Sequence, residues 1–261
     1  MPEYEITIPK SANLASEIKM RVEADSWVRA LKIGRQKVGE SGEITENYLC
    51  DVKADNSIHV TDAGSGRVFR IFEIVGDQPP AAEAGIGRSL DFTSESTADF
   101  LEEVFELTQD VNKKVSREEA LYFMLDLAIE RVQVDSGSVL LADINQHDLF
   151  FGAARGPKAG EVMKFRIKMG QGIVGFCAEE GVGLAVSDVS KDSRFYAAVS
   201  EKIGYPTRSI LCVPMQMEGR VVGALELINK RSSDVFSEQD LNIANFISHQ
   251  LAEYLARQDT T

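Results

Sequence analysis

One ordered run of turns, strands and a capped helix in the last third of the chain constrains the fold most. A glycine-rich turn at residues 170–176, with the sequence GQGIVGF, opens this run. An aromatic and polar segment follows, then two apolar strands, then a helix that begins near Glu238. Glycine supplies the positive φ angles that such tight turns need. The order predicts a sheet and helices that together wrap a pocket for a small planar anionic ligand.

The charge balance narrows the classes of partner. The 261-residue chain has 41 acidic residues against 28 lysines and arginines, a net charge of −13. This charge disfavours binding to nucleic-acid phosphates and to acidic membrane surfaces. Neither a signal-peptide pattern nor an apolar run of membrane-spanning length is found in the sequence. We therefore expect a cytoplasmic protein with no nucleic-acid and no membrane partner.

A change in composition divides the chain. Residues 76–87 contain the pair Pro79-Pro80 and three glycines with no periodicity, which predicts a linker. We predict a small α+β domain of unknown role at residues 1–75, a linker at 76–94, and a second domain at 95–261.

The first domain is predicted to contain strands around one helix. Alternating Tyr4, Ile6 and Ile8 predict a strand, and runs at 48–53, 57–61 and 67–75 predict a three-stranded meander. Helical spacing, with a break near residues 25–26, is shared by Leu14, Ile18, Trp27, Val28 and Leu31.

The second domain is predicted to have helices at both ends of a mostly antiparallel sheet, an α+β arrangement. An apolar stripe predicts a helix over 96–114, and a Ser116–Glu119 capping box predicts another to about Val134. The stripe consists of Phe100, Val104, Leu107 and Val111. The predicted strands are 138–143, 149–154, 162–168, 183–189 and a hairpin of 209–217 with 220–229. A short helix follows the glycine turn, an irregular helical segment spans 194–203, and a last helix spans 238–257.

This arrangement resembles a GAF domain, and within that family the regulatory GAF domains of cyclic-nucleotide phosphodiesterases and adenylyl cyclases. The family signature is Asn-Lys, a variable gap, Phe, three residues, then Asp-Glu. Leu241 stands in place of the final Glu, and the matching residues are Asn229, Lys230, Phe236 and Asp240. The resemblance covers about residues 98–258. It implies a GAF-type antiparallel sheet with flanking helices and a domain that senses a small ligand.

The resemblance also implies a set of ligand-binding residues. In the family, backbone groups after the glycine turn contact the nucleotide phosphate, while an aromatic ring, a threonine and two strand positions line the pocket. Here the corresponding residues are Ser138, Ile173, Val174, Tyr196, Thr207 and Glu226. Strand alternation alone leaves open whether Glu226 faces the pocket or solvent, because a buried carboxylate is costly unless it is paired.

The resemblance also bears on which nucleotide base would be preferred, because one family position carries a different residue in this chain. Arg155 is the nearest match to the position where guanine-reading members of the family carry an aspartate. Arginine cannot accept the guanine N–H hydrogen bonds, although it could pair with a phosphate. Ile203 stands where the family often has a threonine. If a cyclic nucleotide binds, cAMP is favoured over cGMP, and no other cofactor is expected.

The signature residues are predicted to hold the fold and not to contact the ligand. Ser237 is placed as the N-cap of the last helix, with Phe236 before it and Asp240 as the third helical residue. This is a capping box with a hydrophobic staple to Leu241. Lys230 is expected to pair with Asp240.

Catalysis is not expected. The three histidines (His59, His147 and His249) are far apart, and no metal-binding or paired-carboxylate pattern is present. Three cysteines without CxxC spacing predict neither disulfides nor a zinc site: Cys50, Cys177 and Cys212. We predict that the protein has no metal site and no enzymatic activity.

The predicted function is that of a signal-transduction regulator. Its GAF domain would bind a small ligand, with a cyclic nucleotide as the candidate, and change its contacts with a second copy or a partner. We expect a homodimer through the helices that flank the sheet, and the N-terminal domain could bind a protein partner. One alternative is a ligand-free GAF scaffold for protein–protein interaction. A more distant one is a thiol-based methionine sulfoxide reductase that uses Cys177 and Cys212.

Overall fold

A computed structural model describes residues 1–42, 48–52, 55, 57–62, 65–74, 116–217, 219–231 and 235–258. The predicted linker, and the predicted helix over 96–114 with its apolar stripe, lie outside these residues. The predicted domain boundaries therefore stay predictions. Below, residues 1–74 are called the N-terminal unit and residues 116–258 the C-terminal unit.

The N-terminal unit is a five-stranded sheet with one helix. Its elements are β1 (Glu3–Ile8), β2 (Ile18–Glu23), α1 (Trp27–Lys37), β3 (Tyr48–Val52), β4 (Ile58–Asp62) and β5 (Arg67–Ile74). The strand order is β2-β1-β5-β4-β3, and every neighbouring pair is antiparallel. The structure contains the predicted first strand and the predicted meander.

The predicted helical spacing is wrong before residue 25. Ile18, Met20 and Val22 lie on one side of β2, which pairs with β1. The helix begins only at Trp27, because Ser26 is its N-cap and accepts a hydrogen bond from the Arg29 N–H at 3.3 Å. The four-residue interval between Leu14 and Ile18 matches helical spacing. Within β2, however, the residues alternate with a period of two, which is typical of a strand.

The C-terminal unit is a six-stranded antiparallel sheet between two groups of helices. The strand order is β8-β7-β6-β11-β10-β9. Its elements are α2 (Arg117–Val132), β6 (Val134–Asp143), β7 (Asp148–Arg155), α3 (Ala159–Val162), β8 (Arg166–Lys168), α4 (Gly172–Glu180), β9 (Leu184–Val186), α5 (Ala197–Ile203), β10 (Ile210–Met217), β11 (Arg220–Lys230) and α6 (Glu238–Gln258). This is the predicted α+β class.

Two predictions at the ends of elements have opposite outcomes. The capping box of α2 is complete, because Ser116 Oγ accepts from the Glu119 N–H at 3.3 Å and Glu119 Oε2 accepts from the Ser116 N–H at 2.8 Å. The predicted strand over 162–168 is wrong in its first half. Gly156, with φ of 117°, turns the chain, and the helical turn α3 follows before the short strand β8 begins at Arg166.

The long helices α2 and α6 cover one face of the sheet. The predicted stripe on α6 is buried within this chain, and it consists of Leu241, Ala244, Ile247, Ser248, Leu251, Tyr254 and Leu255. Most of the α6 stripe therefore packs inside the protomer. The homodimer through the flanking helices stays a prediction.

None of the described helices is long and apolar enough to span a membrane.

The two units share one apolar core. The rings of Trp27 in α1 and Phe176 in α4 stack with centroids 6.1 Å apart and an interplanar angle of 20°. Strand β3 lies against β9, the edge strand of the second sheet. Ser26 Oγ donates to Glu180 Oε1 at 2.9 Å. The N-terminal unit thus packs on α4 and on the β9 edge.

Candidate ligand-binding site

A cavity lies on the sheet face opposite α2 and α6, under α3, α4 and α5. Its volume is about 100 Å³, or about 820 Å³ when the open solvent at its mouth is included. All seven residues predicted for ligand binding line it: Ser138, Arg155, Ile173, Val174, Tyr196, Thr207 and Glu226. The fold therefore brings the whole predicted set together. That these residues bind a ligand stays a prediction.

The floor of the cavity carries one carboxyl group. Glu226 in β11 is the register partner of Ser138 in β6, and Ser138 Oγ donates to Glu226 Oε2 at 2.9 Å. Burial raises the pKa of Glu226, and the hydrogen bond from Ser138 opposes that rise. The surface that Glu226 keeps belongs to the cavity wall. Glu226 thus faces the cavity and not the outer solvent.

The walls around this carboxyl are apolar. They come from the sheet, from α3 and from α5, and they include Phe151, Val162, Ile167, Phe195, Val199, Ile203, Ile210 and Ile228. A slot lined in this way favours a flat ring whose polar edge can reach Glu226.

The first turn of α4 forms one side of the cavity. Gly170 and Gly172 have φ angles of 77° and 72°, so the chain reverses sharply before the helix. Gln171 is the N-cap of α4, and its side chain makes no capping hydrogen bond. It therefore does not occupy the backbone N–H groups of Ile173 and Val174. A negative group there gains about 0.3–1 kcal/mol from the helix dipole.

Tyr196 and Thr207 stand at the mouth of the cavity. Tyr196 is 43% exposed and lies close over the glycine turn, since a Cβ added to Gly172 would be 3.1 Å from the Tyr196 Cβ. Tyr205, between them in the chain, shares a 3.2 Å hydrogen bond with Ser136 Oγ. An aromatic ring at such a mouth can stack on a base, which is worth about 1–3 kcal/mol.

Asn229 positions the wall that carries Thr207. It is buried, with φ of 60°. Its Oδ1 accepts from the Arg208 N–H at 2.7 Å, and its Nδ2 donates to the Pro206 carbonyl at 2.9 Å. One side chain therefore fixes the backbone on both sides of Thr207.

The remaining signature residues lie away from the cavity lining. Lys230 Nζ pairs with Asp240 Oδ2, and Asp240 also accepts from the Ser237 N–H at 2.7 Å. The Asp240 N–H donates to Ser237 Oγ at 3.2 Å, which completes the capping box of α6. Phe236 is buried in the core under α6. These contacts tie the end of β11 to the start of α6.

Arg155 lines the cavity and also pairs with helix α2. Its guanidinium makes a two-pronged pair with Asp126 of α2 at 2.6 and 2.9 Å, and it lies 4.1 Å above the Tyr122 ring. The charge is thus already balanced on the α2 side of the mouth. Sequence analysis did not select Lys158, which also lines the cavity and pairs with Glu161 at 2.8 Å. Nothing in its sequence context marks it.

The cysteines offer no reactive thiol at the cavity. Cys177 and Cys212 are fully buried, and neither is a lining residue. Burial and the nearby Glu226 carboxyl raise the pKa of both thiols well above the ordinary value, so the reactive thiolate is disfavoured. Among the described residues, no group of three or more His, Cys, Asp or Glu side chains could hold a metal ion.

Comparison with known families agrees with this architecture. The family model for the GAF domain matches residues 116–255. The chain belongs to the GAF domain family. The resemblance and the GAF-type fold predicted from the sequence are thereby confirmed, and the C-terminal unit is a GAF domain.

Curated relatives match this GAF domain over a small part of their own length. A probable 3′,5′-cyclic phosphodiesterase, pde-5, of Caenorhabditis elegans is 32% identical over 135 residues, which are 48% of this chain and 18% of the relative. A dual 3′,5′-cyclic-AMP and -GMP phosphodiesterase 11A of Takifugu rubripes is 31% identical over 148 residues, 52% of this chain and 16% of the relative. The chain thus spans less than a fifth of either protein.

Solved structures share the GAF fold. The GAF domain of a phosphoenolpyruvate-protein phosphotransferase from Coxiella burnetii aligns with a TM-score of 0.57 at 20% identity, covering 65% of this chain and 98% of that one. The free methionine-R-sulfoxide reductase of Neisseria meningitidis aligns with a TM-score of 0.52 at 20% identity, covering 68% and 99%. Likeness at such identity shows a common fold and no more.

Proposed function

We propose that this protein is a signal-transduction regulator whose GAF domain binds a small ligand, with a cyclic nucleotide as the candidate. One observation carries the proposal: residues from β6, β7, α4, β11 and two loops converge on one cavity. That cavity combines a carboxyl floor, apolar walls and a helix N-terminus. The two curated relatives are cyclic phosphodiesterases, which supports a cyclic nucleotide as the ligand.

The proposed pose places the base in the apolar slot and the phosphate at the first turn of α4. A neutral Glu226 carboxyl offers one donor and one acceptor, which suits the adenine edge with its ring nitrogen and exocyclic amine. An ionised carboxylate offers acceptors alone and suits guanine. Burial shifts the pKa of Glu226 upward, toward the form that suits adenine, and Arg155 cannot accept the guanine N–H hydrogen bonds. We therefore propose cAMP over cGMP.

The alternatives fit the cavity less well. A ligand-free scaffold is better served by a collapsed apolar interior than by an open cavity with a carboxyl floor. A sulfoxide reductase needs accessible thiols, whereas Cys177 and Cys212 are buried and do not line the cavity. We propose a binding protein without catalysis, acting in the cytoplasm. Its output is a changed contact with a second copy or with a protein partner of the N-terminal unit.

A thermal-shift experiment on the full chain tests this function. Nucleotide at one hundred times its Kd stabilises the folded state by about 2.7 kcal/mol, which raises the Tm of a chain of this size by roughly 5–10 °C. We expect cAMP to give a larger shift than cGMP, and adenosine, which lacks the phosphate, to give the smallest. The absence of any shift with both cyclic nucleotides at millimolar concentration would reject the nucleotide and leave the scaffold in first place.

A further inference from the structure

An arginine next to the cavity reaches into the contact between the two units. The segment 192–203, called the lid below, closes one side of the cavity. Within it, Arg194 Nε and Nη2 donate to the two oxygens of Asp192 at 2.9 and 2.5 Å. The Arg194 N–H also donates to Asp192 Oδ1 at 2.9 Å. The Asp192 side chain is 2% exposed and that of Arg194 is 15% exposed, so the guanidinium is fixed to the lid backbone in a buried site.

The other side of this guanidinium faces the N-terminal unit. Its central carbon lies 4.9 Å from the centroid of the Phe176 ring and 5.9 Å from that of Trp27, within the range of cation–π attraction. The Cys50 thiol of β3 lies beside it. Nη1 is buried without an oxygen acceptor in the described part of the chain. Because Trp27 and Cys50 help to enclose the Arg194 guanidinium, its surroundings depend on how the N-terminal unit docks.

The next residues of the lid face the cavity. Phe195 and Tyr196 line it directly, as do Val199 and Ile203 of α5. The lid thus has one face on the ligand site and one side chain, Arg194, in the contact between the units.

Helix α4 also joins the cavity to the N-terminal unit. Ile173 and Val174 in its first turn line the cavity. Phe176, less than one turn further on, stacks on Trp27, and Glu180 at its end accepts from Ser26. A helix of nine residues is too short to absorb a shift of its first turn without moving its later residues.

We propose that Arg194 couples the cavity to the N-terminal unit, so that filling the cavity changes how Trp27 and β3 dock on the GAF domain. A ligand that draws Phe195 and Tyr196 inward moves the Asp192–Arg194 pair with them, and the Trp27–Phe176 stack must repack. The proposal takes its ligand from the proposed function. The coupling is reciprocal: the factor by which ligand changes the docking equilibrium equals the factor by which docking changes ligand affinity.

Trp27 provides a direct readout, since it is the one tryptophan of the chain. In the full-length protein, cAMP binding measured by calorimetry should be accompanied by a shift of Trp27 emission. Arg194→Met should still bind cAMP, with altered affinity, but lose the emission shift. The matched control is Lys191→Met, because Lys191 belongs to the adjacent turn, pairs with Asp188 and is half exposed. This control should keep both signals.

A second arm needs no ligand. Phe195→Ala removes a cavity-facing side chain, and it should increase acrylamide quenching of Trp27 in the parent protein. In the Arg194→Met background it should add nothing, which a double-mutant cycle measures. Circular dichroism checks folding, and Arg194→Lys, which keeps the charge and loses the two-pronged pair, replaces Arg194→Met if that variant does not fold.

The two arms separate the coupling from the proposed function. If cAMP binds and Trp27 emission does not change, the coupling is wrong and the proposed function stands. If neither cyclic nucleotide binds but the quenching cycle is non-additive, the coupling stands and the nucleotide is wrong. Additive quenching effects of the two substitutions overturn the coupling in either case.

Discussion

The Ser138 hydroxyl and the Glu226 carboxyl face each other across adjacent strands, joined by a 2.9 Å hydrogen bond at the floor of the GAF cavity. The bond occupies Oε2 and fixes the orientation of the carboxyl plane. A rigid acidic group in an otherwise apolar slot can select the polar edge of a ligand ring, because an unmatched group there stays unpaired.

The stability contribution of Glu226 should depend on pH. Burial raises its folded-state pKa above the ordinary 4.5, so the folded chain holds this proton more tightly than the unfolded chain. The resulting stabilisation is complete below that ordinary value and is lost as the pH rises through the raised pKa. Glu226→Gln cannot ionise, so its stability relative to the parent should increase with pH across this window. Urea unfolding at several pH values measures this, with exposed Glu201→Gln as the control. Parallel profiles for the parent and Glu226→Gln would contradict the assignment.

Cavity residues and signature residues should separate in a mutational comparison. Thr207→Ala and Glu226→Ala should each weaken nucleotide binding by about 1–3 kcal/mol, because each leaves a ligand group unpaired. Lys230→Ala should instead lower the free energy of unfolding by about 3–5 kcal/mol with affinity unchanged in the folded protein, since it strands Asp240 in a buried pair. Calorimetry and urea unfolding measure the two quantities. A folded Lys230→Ala protein that no longer binds, beside a Glu226→Ala protein that does, would reverse the division.

Asn229 should affect both stability and binding, because it braces the wall around Thr207. Asn229→Ala removes its hydrogen bonds and should cost about 1–3 kcal/mol of stability, together with weaker nucleotide binding. Asn229→Asp keeps the acceptor for Arg208 N–H and loses the donor to the Pro206 carbonyl, so it should lie between Ala and the parent. Equal affinities in all three proteins would show that this wall does not contact the ligand.

Arg155→Met should have a small effect. Its pair with Asp126 has side chains 45% and 52% exposed, and such pairs contribute about 0–1 kcal/mol. Because the guanidinium is held on the α2 side, we expect nucleotide affinity to change by less than that caused by Thr207→Ala. A loss of binding larger than the Thr207→Ala loss would place Arg155 on the ligand after all.

The proposed homodimer is tested by mass. Light scattering at micromolar concentration should give roughly twice the 28.7 kDa of the chain. A charged substitution in the α6 stripe, such as Leu251→Glu, is not a test of the dimer, since Leu251 is fully buried and a charge there should unfold the domain. A monomeric mass would contradict the homodimer, and the signalling output would then have to act through a separate protein partner.

The sequence was informative where local rules decide the structure. The capping box at Ser116, the turn at Gly170 and the alternation in β1 each depend on residues within a few positions. The seven cavity residues came together because they were taken from a family resemblance, which carries the tertiary arrangement with it. From residue patterns alone, Glu226 could have faced either side of its strand.

Other features were harder to predict from the sequence. Arg155 pairs with Asp126, which lies 29 residues away. Part of β2 was predicted as helix because the Leu14–Ile18 interval matches helical spacing, although the alternation within β2 is typical of a strand. The contact of Arg194 with Trp27 joins residues of two units, and no spacing rule connects them.

The contact between the two units also indicates that the folding unit extends beyond the GAF domain match. The family match begins at residue 116, yet Trp27 and Cys50 belong to the buried cluster against which Phe176 packs. A fragment trimmed to the match would lose the cover of β3 over β9 and of Trp27 over Phe176, and exposed sheet edges recruit strands from other molecules. The N-terminal unit therefore shields this edge, and we expect the GAF domain on its own to aggregate more readily than the full chain.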